Sequence, residues 1–127
     1  MTTTGPTARA AWRVGPPIAL MALIYALSAQ PNLSSGLGTI DLIGRKLVHA
    51  GEFGLLFLLL LRALGWRRPA IAAAIAIAYA ATDELHQAFV DGRHGTPVDV
   101  LIDSTGVAVA WLMWRRRRVR TDGAATS

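Results

Sequence analysis

Apolar residues gather in four blocks along the chain, at about 14–30, 47–64, 69–90 and 97–114, with polar residues in the gaps between them. Each block is near the ~20 residues that cross a hydrocarbon core as a helix, so the pattern predicts an all-α fold, a four-transmembrane-helix bundle. In the first block, "VGPPIALMALIYALSAQ", Pro16 and Pro17 fall near the predicted helix start, where missing amide donors matter least. Residues 31–45, "PNLSSGLGTIDLIGR", combine proline, glycines and a serine pair and predict the one sizeable loop. The second block, "KLVHAGEFGLLFLLLLRAL", should end at Gly65 before the short turn "WRRP", with Trp66 as an interfacial anchor. The third should end near Val90, where "DGRHGTP" supplies turn residues, and the fourth, "VDVLIDSTGVAVAWLMW", should stop at "RRRRVR". The ends, "MTTTGPT" and "TDGAATS", read as disordered. The predicted organisation is therefore an amino-terminal segment 1–13, a membrane domain 14–114 and a basic tail 115–127.

Composition sharpens the membrane reading. The chain is 53% hydrophobic and 17% charged, too apolar for an ordinary soluble domain of 127 residues. It has no cysteine, which excludes disulfides, a thiolate nucleophile and thiolate metal ligands. The net charge of +5 does not point to nucleic acid, because the arginines sit beside apolar runs rather than along a polar face. A secretory signal is the competing reading of residues 1–30, with Arg9 and Arg13 ahead of an apolar run and small residues in "ALSAQ". That run is only the first of four similar blocks, which favours a span.

Charge then predicts an orientation. Ten cations, Arg9, Arg13, Arg62, Arg67, Arg68, Arg115, Arg116, Arg117, Arg118 and Arg120, fall at the two ends and in the second turn. Three, Arg45, Lys46 and Arg93, fall in the first and third loops. Since cytoplasmic segments carry the Lys/Arg excess, both termini should be cytoplasmic and the first and third loops should face outward. The arginine run is most simply a stop and orientation signal, with attraction to anionic lipid.

That orientation puts the unusual polar residues on one side. Glu52 lies six residues beyond Lys46, about 9 Å inward at the helical rise, and Asp83 and Asp103 reach a similar depth from Val90 and Pro97. Lys46, His49 and Glu52 are spaced by three; Asp83, His86 and Gln87 form an i, i+3, i+4 set; Glu84 precedes Gln87 by three; Asp99 and Asp103 are four apart. Facing lipid would cost such residues several kcal/mol, so they should face one another or a water-filled pocket. For His49 and His86 a structural hydrogen-bonding role stands level with catalysis or ligation. Asp99 also suits an early helical turn through the helix dipole, and Arg93 suits a counter-ion or anion-binding role.

The stretches "YALSAQP", "RKLVHAGEFGLLFLLLLRAL" and "ATDELHQAFVDGRHGTPVDVLIDSTGVAVA" resemble the VanZ-like integral membrane family over about residues 14–114. The "DELHQ…GR…D…D" succession is the most specific part. The resemblance implies Lys46, His49, Asp83, Glu84, His86, Gln87, Arg93, Asp99 and Asp103 as characteristic positions. Glu52 departs from the family pattern, where many members carry another polar or aromatic residue. The resemblance also implies a multi-pass protein of the bacterial cytoplasmic membrane. The founding member is associated with resistance to the glycopeptide teicoplanin, while the family's biochemical activity is obscure.

Three functional classes follow. The preferred one is a binding role in the envelope, in which the outward pocket recognises a lipid headgroup, anionic or otherwise, or a cell-wall precursor. The second is an intramembrane hydrolase or transferase with His49, Asp83, Glu84 and His86 as catalytic candidates, or with two or three of these groups on a divalent metal. The third is a small proton-linked transporter, against which the one-sided cluster argues. No paired-histidine zinc-protease signature occurs. No cofactor and no nucleic acid partner is expected; membrane lipids are.

Overall fold

The computed structural model describes residues 5–28, 39–89 and 97–125. These form four α-helices, α1 (Pro6–Ser28), α2 (Thr39–Ala63), α3 (Pro69–Gln87) and α4 (Pro97–Ala125), with no strand among the described residues. The all-α class therefore holds, while several helix ends differ from expectation.

α1 begins at Pro6, so Pro16 and Pro17 lie inside it rather than at its start. Each removes the amide that would reach the carbonyl four residues back, at Trp12 and Arg13. Arg62 of α2 takes up the first of these: its Nη1 donates to the Trp12 carbonyl at 3.3 Å, and its guanidinium lies 5.2 Å from the Trp12 ring centroid. α2 takes in residues 39–45 of the expected loop, because Ile40, Ile43 and Leu47 continue an apolar helical period through it. α3 closes at Gln87, short of Val90, which with the "DGRHG" turn lies outside the described residues. α4 carries on through the arginine run to Ala125, since arginine is a good helix former and no proline interrupts. Residues 6–7 and 121–125 thus belong to helices, and the rest of the two ends predicted to be disordered lies outside the described residues, apart from Gly5.

Two helical segments, Pro6–Leu27 and Pro97–Ala125, are long and apolar enough to cross a membrane, where four were expected. In the other two helices the apolar runs are broken by charge. α2 carries Lys46, Glu52 and Arg62, and α3 carries Asp83 and Glu84. These are largely the residues that make the polar cluster, so the same side chains that mark a site lower the hydropathy of the helices presenting it.

Side-chain contacts fix the helix directions. Lys46 meets Asp99, His49 meets Asp103 and Phe57 meets Trp111, so α2 and α4 run in the same direction. Tyr79 donates to the Met21 carbonyl and Tyr25 stacks on His86, so α1 and α3 also run together. His49 beside Asp83 and Phe53 beside Tyr79 set α2 against α3. The result is an up-down-up-down bundle in which α2 packs chiefly on α4, while α1 covers α2 and α3. Its core is Ile24, the α2 stripe Phe53, Leu56, Phe57 and Leu61, the α3 alanines at 72, 73, 76 and 80, and Val107 and Ala110. Small residues on α3 let the larger α2 side chains interdigitate without separating the backbones.

The tightest approach is between α2 and α4. A Cβ added at Gly106 would overlap the Ala50 backbone carbonyl, and one at Gly54 would come within 2.9 Å of the Gly106 carbonyl oxygen. Ala50 and Gly54 are four apart, as are Gly106 and Ala110, so each helix presents a small-xxx-small ridge to the other. Gly106→Ala should therefore force the helices apart and destabilise the bundle by about 1–3 kcal/mol, the usual range for overpacking. Gly51→Ala, where an added Cβ meets nothing within 4 Å, should be neutral or stabilising through helix propensity. Thermal unfolding of the two variants in the same detergent compares them directly; equal midpoints would refute the close-contact account.

Candidate functional site

The polar residues converge at one end of the bundle: the first half of α2, the last turns of α3, the first turns of α4 and the end of α1. Because α2 and α4 run in the same direction, a step of three residues on one and four on the other gives two matched levels. At the rim, Lys46 Nζ donates to Asp99 Oδ1 at 2.7 Å, with both side chains partly open to the exterior. One turn deeper, His49 Nδ1 donates to Asp103 Oδ1 at 2.8 Å, and Asp103 is 1% exposed.

α3 supplies the third wall. Asp83 and Gln87 are one turn apart, and Gln87 Nε2 donates to Asp83 Oδ2 at 3.0 Å. That same oxygen lies 3.1 Å from His49 Nε2, so the imidazole stands between two buried aspartates from different helices. Glu84 is 6% exposed and offers an oxygen close to His49 and Asp103. Glu52 follows His49 by one turn and is half-buried at the edge. His86, expected to act with Asp83 and Gln87, turns to α1 and stacks on Tyr25 with ring centroids 4.4 Å apart. Arg93 lies outside the described residues. Lys46, His49, Asp83, Glu84, Gln87, Asp99 and Asp103 are thus brought together, and His86 forms the flank nearest α1.

Two tyrosines were not singled out from the sequence. Tyr25 covers His86, and Tyr79 ties α3 to the α1 backbone while packing on Phe53 beneath His49. Tyr79 gave no signal beyond being a lone tyrosine in an apolar block, while Tyr25 opens the "YALSAQP" stretch that carries part of the family resemblance.

The cluster differs chemically from the other polar residues of these helices. Ser104, Thr105 and Thr82 satisfy their hydroxyls on carbonyls four residues back in their own helices. A carboxylate has no proton to donate there and needs a side-chain donor, from another helix or, as Gln87 does for Asp83, from its own. Among the described residues several buried atoms have no hydrogen-bond partner: His49 Nε2, Asp83 Oδ1, Glu84 Oε2, Asp103 Oδ2 and His86 Nδ1. Such an arrangement can accept hydrogen bonds from hydroxyl or ammonium groups, ligate a cation, or pass a proton through His49.

His49→Leu should destabilise the bundle by about 3 kcal/mol, because it leaves two buried aspartates without their shared partner. Lys46→Met removes a partner of the more open Asp99 and should cost less than about 1 kcal/mol. Denaturant or thermal unfolding in detergent reads both; a larger loss for Lys46→Met would place the stabilising contact at the rim rather than at His49.

No curated protein and no solved structure matches the chain. Among known families, residues 7–119 match VanZ/LLP1, a stretch that covers most of α1 and α4, all of α2 and α3, and all the residues of the cluster. With two helices apolar enough to cross a membrane, the match points to a membrane protein. The chain belongs to the VanZ/LLP1 family.

Proposed function

We propose that the chain is a four-span protein of the bacterial cytoplasmic membrane, with both ends cytoplasmic, whose His49-centred cluster faces outward and binds a lipid headgroup or cell-wall precursor. Through that binding it alters access of glycopeptide antibiotics of the teicoplanin type. The observation that carries the reading is the inversion of polarity across the bundle: Asp83, Glu84, Gln87 and Asp103 are buried, while Ile18, Leu47, Val48, Leu85, Leu101 and Met113 are exposed. Apolar exteriors around paired interior acids are what lipid requires of a polytopic protein, and intramembrane ionisable groups usually mark functional sites. The helix directions support the orientation, since they bring Arg62, Arg67, Arg68 and the Arg115–Arg118 run to the end opposite the acids. The acids around His49 accept from hydroxyl or ammonium groups, which favours a ligand rich in these over a bare anion.

Two measurements test this. Cysteine introduced at Ser35 should label from outside in intact cells, and cysteine at Ala125 should not; reversed labelling would turn the cluster to the cytoplasm. Asp83→Asn keeps size and most hydrogen bonding while removing the charge, and His86→Gln keeps a polar group on the α1 flank. Both variants should insert normally yet lose the change in glycopeptide susceptibility that depends on the intact gene. Retention of that phenotype in both would reduce the cluster to helix-tying contacts.

A further inference from the structure

We infer that the cluster is a binding site for a divalent transition-metal ion, with His49, Glu84 and Asp103 as its protein ligands. This rests on reading the cluster as the functional site and names what it holds first. One potential ligand atom from each of the three lies within 4.8 Å of the others, and they come from three different helices. Glu84 and Asp103 are more than nine-tenths buried, and each keeps an oxygen, Oε2 and Oδ2, with no hydrogen-bond partner. Carboxylate oxygens removed from water and left without donors are neutralised by a proton or by a cation, and a cation can serve both at once.

Charge leads to the same conclusion. Lys46 is engaged by Asp99 at the rim, which leaves Asp83, Glu84 and Asp103 gathered around one imidazole among the described residues. A dication balances two of these charges at the depth where they lie.

The surroundings of His49 have the form of a metal-bound histidine. Nδ1 and Asp103 Oδ1 are 2.8 Å apart. Ligands ~2.1 Å from one ion stand about 3 Å apart at right angles and about 3.4 Å apart in a tetrahedron, so an ion seated to one side of this pair needs the two side chains to part by only a few tenths of an ångström. The opposite nitrogen, Nε2, lies 3.1 Å from the Asp83 carboxylate without hydrogen-bonding it, so a small turn of either side chain completes that contact, and Gln87 in turn holds Asp83. A carboxylate behind the ring, itself fixed by a hydrogen bond, is how metal-bound imidazoles are oriented. An imidazole beside two carboxylates suits Zn2+ or Mn2+ better than Ca2+ or Mg2+, whose sites are built from oxygen alone. Three protein ligands also leave a coordination position for an oxygen of the bound headgroup or precursor.

The test uses the full chain purified in detergent, stripped with a chelator and titrated separately with Zn2+, Mn2+ and Mg2+, followed by Co2+ as a spectroscopic stand-in. One Zn2+ or Mn2+ should bind per chain in preference to Mg2+, and Co2+ should give visible bands of mixed nitrogen and oxygen coordination. Glu84→Gln and Asp103→Asn should weaken binding by about 100-fold or more, and Thr82→Ala, on the outer face of α3, should leave it unchanged. Failure of the unmutated chain to take up stoichiometric metal overturns the inference whether or not the variants fold, as does equal affinity in both variants. If metal is absent while Asp83→Asn still abolishes the susceptibility phenotype, the metal inference falls and the binding role stands; if metal binds and Asp83→Asn keeps the phenotype, the metal site stands and the envelope role falls.

Discussion

The close approach of α2 and α4, where Gly106 meets the backbone of Ala50, lies beside the pairing of His49 with Asp103. The polar pairs between α2 and α4 are organised around that contact. His49 immediately precedes Ala50, and Asp103 precedes Gly106 by one turn, so the closest backbone approach and the 2.8 Å pairing of these side chains are one event seen at two depths. Above it the helices separate enough for a lysine to reach an aspartate at the rim. Below it they admit Phe57 against Trp111, with ring centroids 5.9 Å apart. Side chains along the interface are smallest at this contact and larger on either side of it, and the His49–Asp103 pair sits beside the narrow point.

The second constraint is electrostatic. Buried ion pairs seldom add net stability, because taking charges out of water costs as much as their attraction returns. A bundle that keeps Asp83, Glu84 and Asp103 inside, with leucine and isoleucine outside, is therefore poorly explained as a device for holding helices together. The core of Phe53, Leu56, Phe57 and Leu61 against the α3 alanines already does that. The proposed binding role gives these acids a reason to be there that helix packing does not.

Much of this was legible before any coordinates. Period three or four puts Lys46 with His49 and Asp99 with Asp103 on common faces, while the helical rise puts Glu52 at the depth of Asp83 and Asp103. It is His49, one turn nearer the rim, that the structure sets between the two aspartates. What a linear reading lacks is the rotation of each helix about its axis. Glu84 and His86 are two residues apart and so point about 160° from each other. Nothing in "DELHQ" says which of them faces α4, and the structure places Glu84 inward and His86 against Tyr25. Helix ends were misplaced for a related reason. Arginine marks a membrane boundary by charge but continues a helix by propensity, so the apolar block ends at residue 114 while α4 does not. The prolines of α1 misled in the opposite sense, since Arg62 compensates across fifty residues for one of the bonds they remove, a contact no local pattern shows.

The turn between α2 and α3 fixes more than the direction of the chain. Gly65 and Trp66 both adopt left-handed backbone, with φ of 73° and 63°, and reverse the chain between Ala63 and Pro69. His49 precedes the end of α2 by 14 residues, 63 minus 49, and Asp83 follows the start of α3 by 14, 83 minus 69. The hairpin thus has two arms of equal length, each about 21 Å, and their tips meet because they are equal. A residue inserted into either arm would swing its tip through about 100° and carry one partner out of the cluster while leaving composition and helicity almost untouched. Length variation within this hairpin therefore belongs in the turn, where an added residue lengthens neither arm.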